Sequence, residues 1–138
     1  MTDLLPIPPM ETATDPIGSP ADLRERWRAL MGPLGFGERL LWIGFVGPDR
    51  RMHKALTQMP IGRLPDRSVI EELLAGLVTV VQESAPGSTL AVLLTRPGSD
   101  GISAEDRRWS KVLTDAARTS GAPLEPLFRA NDRELRPI

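Results

Sequence analysis

Residues Thr89 to Trp109 read TLAVLLTRPGSDGISAEDRRW. Leu90-Ala91-Val92-Leu93-Leu94 is continuously apolar, the mark of a strand covered on both faces; a half-exposed edge strand would alternate. A central strand is therefore predicted. Pro97, Gly98 and Gly101 break the run. Ser103, followed three positions later by Asp106, is a capping-box start for a helix, with Asp where Glu or Gln is usual. A buried strand thus delivers a Gly-rich loop onto a helix N-terminus. In open α/β sheets ligands bind beyond the carboxyl ends of strands, and helix N-termini offer free N–H groups to anions. The candidate ligand- or partner-binding residues are accordingly Arg96, Gly98, Ser99, Asp100, Ser103 and Asp106. The plain alternative is a strand-to-helix turn whose glycines serve backbone geometry and whose Asp106 serves the cap.

Composition bounds what this junction can belong to. A chain of 138 residues with 41% hydrophobic content suits one domain with a single core. A formal net charge of -1 carries no global signature of a nucleic-acid or anionic-membrane partner. With no cysteine there is no disulfide framework, thiolate metal site or cysteine nucleophile. His53 is the only histidine, so a structural zinc site would lack its usual ligands. No metal and no cofactor are expected. The N-terminal stretch lacks a positive start and a long apolar run, so a cytoplasmic protein without a signal peptide or membrane span is expected. Fifteen Arg against two Lys suits a bacterial genome of high G+C content.

Outward from the junction, residues 1–18 contain Pro6, Pro8, Pro9 and Pro16 and read as a disordered tail. Its sharper alternative is a docking segment, because Leu4, Leu5, Ile7 and Met10 could fill a groove on a partner or on the domain itself. Residues 19–138 form the single domain. Ser19-Pro20 opens a first helix with Leu23, Trp27, Leu30 and Met31 on one face and Gly32-Pro33 at its end. Arg24, Arg26 and Arg28 are assigned to its solvated side. Leu40 to Val46 predicts a strand, Gly47 to Arg50 a tight turn, and Met52 to Met59 a returning strand at or near a sheet edge. His53 there reads as an edge residue, since no orienting acid precedes it. Ser68-x-x-Glu71 predicts a capping box for a helix whose apolar stripe is Ile70, Leu73, Leu74, Leu77, Val80 and Val81. Trp109, Val112, Leu113, Ala116 and Ala117 give the last helix a core face that stops at Gly121. A strand within Pro123 to Ala130 would then lie parallel to the central one, after which Asn131 to Ile138 turns and runs out.

The order helix, hairpin, helix, strand, loop, helix resembles the JAB/MPN domains of the RadC-like branch, and the resemblance spans most of the chain from about Leu23. In that family the buried strand ends in His-x-His-Pro-Ser-Gly followed by Ser-x-x-Asp, and two His with one Asp hold zinc. Here Pro97, Ser103 and Asp106 match, Leu94 and Arg96 stand where the histidines would be, and the spacer is one residue shorter. The run from Leu93 to Gly98 followed by Asp106-x-x-Trp109 also resembles a pattern of actinobacterial proteins. What the family likeness implies is an α/β fold, with a mixed sheet of hairpin and parallel strands flanked by about three helices, JAB/MPN- or cytidine-deaminase-like. It further implies a metal-free relative, since zinc needs about three protein ligands and a guanidinium at a ligand position repels it. An Arg96–Asp106 pair would fill the space of the metal.

Three functions remain at this level. The first is a non-catalytic pseudoenzyme-like module that binds a protein partner or a second copy. The second is an anion or nucleotide binder taking a phosphate-bearing ligand on Arg96, Ser99 and the helix start at Ser103. The third is an enzyme with Asp100, Glu105 or Asp106 as base, for which no nucleophile is placed.

Overall fold

The structure, a computed structural model, describes residues 7–138. Helix α1 spans Pro20–Met31, strands β1 and β2 span Leu40–Val46 and Met52–Pro60, and α2 spans Arg67–Ser84. Strand β3 (Thr89–Thr95), helix α3 (Ala104–Ser120) and the short strands β4 (Phe128–Ala130) and β5 (Leu135–Pro137) complete the chain. One five-stranded mixed sheet runs in the order β2-β1-β3-β4-β5. Strands β1 and β2 form an antiparallel hairpin, β1 is also antiparallel to β3, and β4 lies parallel to β3. No helix among the described residues is long and apolar enough to cross a membrane.

Strand β3 is central, and both its faces are covered. Leu90, Val92 and Leu94 point to a core shared with Ile70 and Leu74 of α2 and Trp109 and Leu113 of α3. Ala91 and Leu93 point to a second core shared with Leu23 and Trp27 of α1 and Phe128, Ala130 and Leu135. The continuous apolar run follows from this three-layer arrangement, because each alternate residue meets a different helix layer. Complete burial of Leu90, Val92, Leu93 and Leu94 contributes roughly 1.5–3 kcal/mol apiece.

Four expectations change in the structure. Asp66, rather than Ser68, caps α2: its carboxylate accepts from the Ser68 and Val69 N–H groups, and Glu71 pairs with Arg67 one turn before it. An Asp directly ahead of the first turn outcompetes the serine inside it, since the cap residue needs extended backbone. The arginines of α1 are not a solvated face. Arg28 is buried and donates to the Gly32 carbonyl, Arg24 Nε donates to the Leu135 carbonyl at 2.8 Å, and Arg26 donates to the Asp15 and Pro16 carbonyls. Their long apolar stems lie along the domain while the guanidinium groups reach backbone carbonyls of neighbouring segments. The C-terminus does not run out: β5 pairs antiparallel with β4, and Leu135 is fully buried.

The N-terminal stretch is the fourth. Of residues 1–18, the first six, with Leu4 and Leu5, lie outside the described residues. From Met10 to Thr14 the chain forms a 3-10 helix, with Ala13 buried, and Ile17 is buried in the α1-side core. The Ile17 N–H donates to the Arg50 carbonyl at 2.7 Å, and Arg50 Nε returns a bond to the Ile17 carbonyl. Two apolar anchors and these bonds hold a Pro-rich segment that has no periodic face of its own. Arg50, at φ 60 in the left-handed region, is also clamped bidentately by Glu125.

Candidate functional site

The loop after β3 leads to α3 with the predicted geometry. The Ser103 hydroxyl accepts from the Asp106 N–H and the Asp106 carboxylate accepts from the Ser103 N–H, each at 3.0 Å. Asp106 therefore serves the cap, and it does so from complete burial.

That burial is made possible by two arginines. Arg96 Nε and Nη2 donate to the two carboxylate oxygens of Asp106 at 2.8 and 2.9 Å, a bidentate pair. Arg129 Nε donates to Oδ2 of the same carboxylate at 3.2 Å, and Arg129 Nη2 reaches Glu134 at 3.3 Å. Arg96 Nη1 donates to Asp100 at 2.8 Å and to the Pro97 carbonyl, and its Nη2 also donates to the Gly101 carbonyl. Each of the five N–H donors of Arg96 thus has a partner within the protein.

The electrostatics follow from this packing. Burial pushes the Asp106 carboxyl up, but the Arg96 hydrogen bonds, the Ser103 N–H and the charges of Arg96 and Arg129 together hold it below its ordinary value. The same contacts raise Arg96 above its usual guanidinium value, with the Asp106 hydrogen bonds the leading cause. The Arg96 hydrogen bond lowers Asp100. Both partners are charged throughout the physiological range.

Of the six residues singled out from sequence, Arg96, Asp100, Ser103 and Asp106 come together in this network, while Gly98 and Ser99 shape the loop around it. Gly98 has φ 114, a backbone region that favours glycine, and a Cβ there would stand 2.9 Å from Arg96 Nη1. Its N–H donates to Asp132 at 2.9 Å. Ser99 is exposed and makes no contact that builds the network.

Sequence reasoning missed the C-terminal half of the site. Asn131 Nδ2 donates to the Asp100 carbonyl at 2.7 Å, and its Oδ1 accepts from the Arg133 and Glu134 N–H groups to form the β4–β5 turn. Asp132 accepts from Gly98 and from the Phe36 N–H, and these backbone bonds hold its carboxyl below the ordinary value. The available signal was Arg129 inside Leu127-Phe128-Arg129-Ala130: a charge in an apolar strand next to an Asn-Asp pair points to a buried partner and an Asx turn.

A zinc ion does not fit here. Leu94 is buried against the α2–α3 layer and has no donor atom, and the Arg96 guanidinium occupies both oxygens of Asp106. Clefts of about 540, 520 and 300 Å3 elsewhere on the surface are lined by none of the six residues. No family model, curated protein or solved structure matches the chain.

Proposed function

We propose that the chain is a non-catalytic α/β interaction or regulatory module, a metal-free JAB-like domain. The observation that carries this reading is the saturation of Arg96. A guanidinium whose five donors are all taken by Asp106, Asp100 and two carbonyls offers nothing to a substrate phosphate or carboxylate. Asp106, held ionised between two arginines and a cap, is a poor base. A residual surface of uncovered apolar side chains along α2 supports binding in place of chemistry.

The competing anion- or nucleotide-binding reading uses the same loop and has a direct test. Inorganic phosphate and nucleoside mono-, di- and triphosphates are screened by thermal unfolding against the full chain. The interaction module predicts no concentration-dependent rise in Tm. A rise that grows with ligand and disappears in Ser103→Ala would transfer the function to the loop. In parallel, the tagged full chain is cross-linked and captured, and its partners are read by mass spectrometry. A stoichiometric protein partner, a second copy included, is the expected result.

A further inference from the structure

The N-terminal segment from Ile7 to Gly18 lies against the domain without joining the sheet. Of its side chains only Ala13 and Ile17 are buried, while Ile7 and Met10 are 44% and 60% exposed. Among the described residues its backbone bonds to the rest of the domain's backbone at one place, the Ile17 N–H to the Arg50 carbonyl; the Thr12 and Asp15 N–H groups bond within the segment. What holds it otherwise is arginine. Four consecutive carbonyls, those of Thr14, Asp15, Pro16 and Ile17, accept from Arg51 Nη1 at 3.1 Å, Arg26 Nε at 3.0 Å, Arg26 Nη2 at 3.2 Å and Arg50 Nε at 3.2 Å. Guanidinium groups here stand where a neighbouring strand would stand in a sheet. Two apolar anchors and side-chain bonds, set against the entropy of ordering the whole segment, place it at the low-stability end of the molecule.

Arg50 is a second, independent observation. It is the one described residue other than glycine at positive φ, in the turn between β1 and β2, where glycine or asparagine would sit at lower cost. Its side chain accounts for the choice. While Nε bonds the Ile17 carbonyl, Nη1 and Nη2 clamp Glu125 at 2.8 and 3.1 Å, and Glu125 in turn accepts from the Thr89 hydroxyl at 2.6 Å, at the start of β3. One arginine thus ties the segment to the central strand. The third observation is what lies beneath. A cleft of about 300 Å3 runs between the segment and the domain, with Met10, Ala13 and Thr14 on one side and Leu30, Met52 and Leu56 on the other. Ile17, Met52 and Leu56 all pack in the α1-side core. Lifting the segment therefore opens the cleft and bares part of that core.

We propose that residues 7–18 are a latched strap over the apolar cleft between α1 and β2, which opens as a unit while the sheet stays folded, with Arg50 as its latch. In the closed state the strap is itself the occupant, through Ala13 and Ile17. Ser19 keeps its cap on α1 in both states, so the strap swings from Gly18.

Native-state hydrogen exchange of the full chain, followed amide by amide by NMR, tests it. The Ile17 amide reports the strap, and the amides of residues 90–94 report the sheet. Ile17 should open at least about 100-fold more readily than the β3 amides. Arg50→Gly relieves the turn while removing the latch, and Arg26→Ala removes two strap bonds without touching the turn. Each should raise strap opening about tenfold against an unchanged sheet, and should raise the fluorescence of an anilinonaphthalene sulfonate dye as the cleft opens. Should Arg50→Gly not fold, Arg26→Ala decides. An Ile17 amide that exchanges only as fast as the β3 amides overturns the proposal, because the strap then opens only with the whole fold. Strap opening that neither variant raises overturns it too, and so does faster strap opening without added dye binding, since the cleft is then not what the strap closes.

Discussion

The β3–α3 junction takes charges out of water, whereas the outer flank of α2 leaves hydrocarbon in it. At the junction Asp106 and Arg129 are fully buried and Arg96 nearly so, and each charge meets an opposite charge. On α2, Val69 and Val80 face solvent with no partner side chain from the described chain. The residues that look like a reactive site are consumed in holding the loop to the C-terminal hairpin. The residues that look like an ordinary amphipathic helix are the ones left unfinished. The two regions differ in whether their groups are matched within the fold, and not in the chemical reactivity of their residue types.

The sharpest way to break that contrast is to unpair the junction. Asp106→Ala leaves Arg96 and Arg129 buried without their shared carboxylate, and chemical denaturation should show a loss of about 3–5 kcal/mol. A variant of near wild-type stability would mean that water reaches the junction and that the contrast is overstated. Arg96→Ala should cost less, roughly 2–3 kcal/mol, because Asp106 keeps Arg129 and the Ser103 N–H.

Acid provides the same test without mutation. Asp106, Asp100, Glu125 and Asp132 all lie below their ordinary values when folded. Groups depressed on folding contribute stability that is fully present above their unfolded values and is lost as pH falls through the folded ones. Stability governed by these carboxylates should therefore be level from pH 7 to about 5 and decline below about 4. Urea midpoints across that range would check it, and a decline already complete at pH 5 would contradict the assigned directions.

Smaller effects sharpen the comparison. Ser103→Ala removes one half of the capping box and should cost about 1 kcal/mol. Val80→Glu, on the open flank, should change stability by less than about 0.5 kcal/mol, because Val80 is 44% exposed. A large thermal destabilisation by Val80→Glu under monomeric conditions would show that the flank is part of the fold.

How much of this was legible beforehand depended on the range of the interaction. The Leu90–Leu94 run, the hairpin, the Ser103–Asp106 cap and the core face of α3 all lie within a few residues of their own signals, and each was read correctly as an element. Arg28 in α1 and Arg129 in β4 were not, because burial of an arginine is decided by what folds over it. Asp66 was passed over for Ser68 because both residues can cap and only the local backbone, extended at Asp66, chooses between them. The Arg96–Asp106 pair was anticipated from a resemblance, yet its third member, 23 residues beyond Asp106, was not.

Periodicity and turn chemistry are local, so residue order alone was enough to specify a mixed α/β domain built around one buried strand. Which charges would be neutralised, and which apolar stripe of α2 would be left in water, required the chain to close on itself. Ion pairing between Arg96, Asp106 and Arg129 depends on β4 lying parallel to β3, and exposure of Val69 and Val80 depends on α3 occupying only one flank of α2. Contacts between segments remote in sequence leave no periodic trace, and three-dimensional packing is where they are settled.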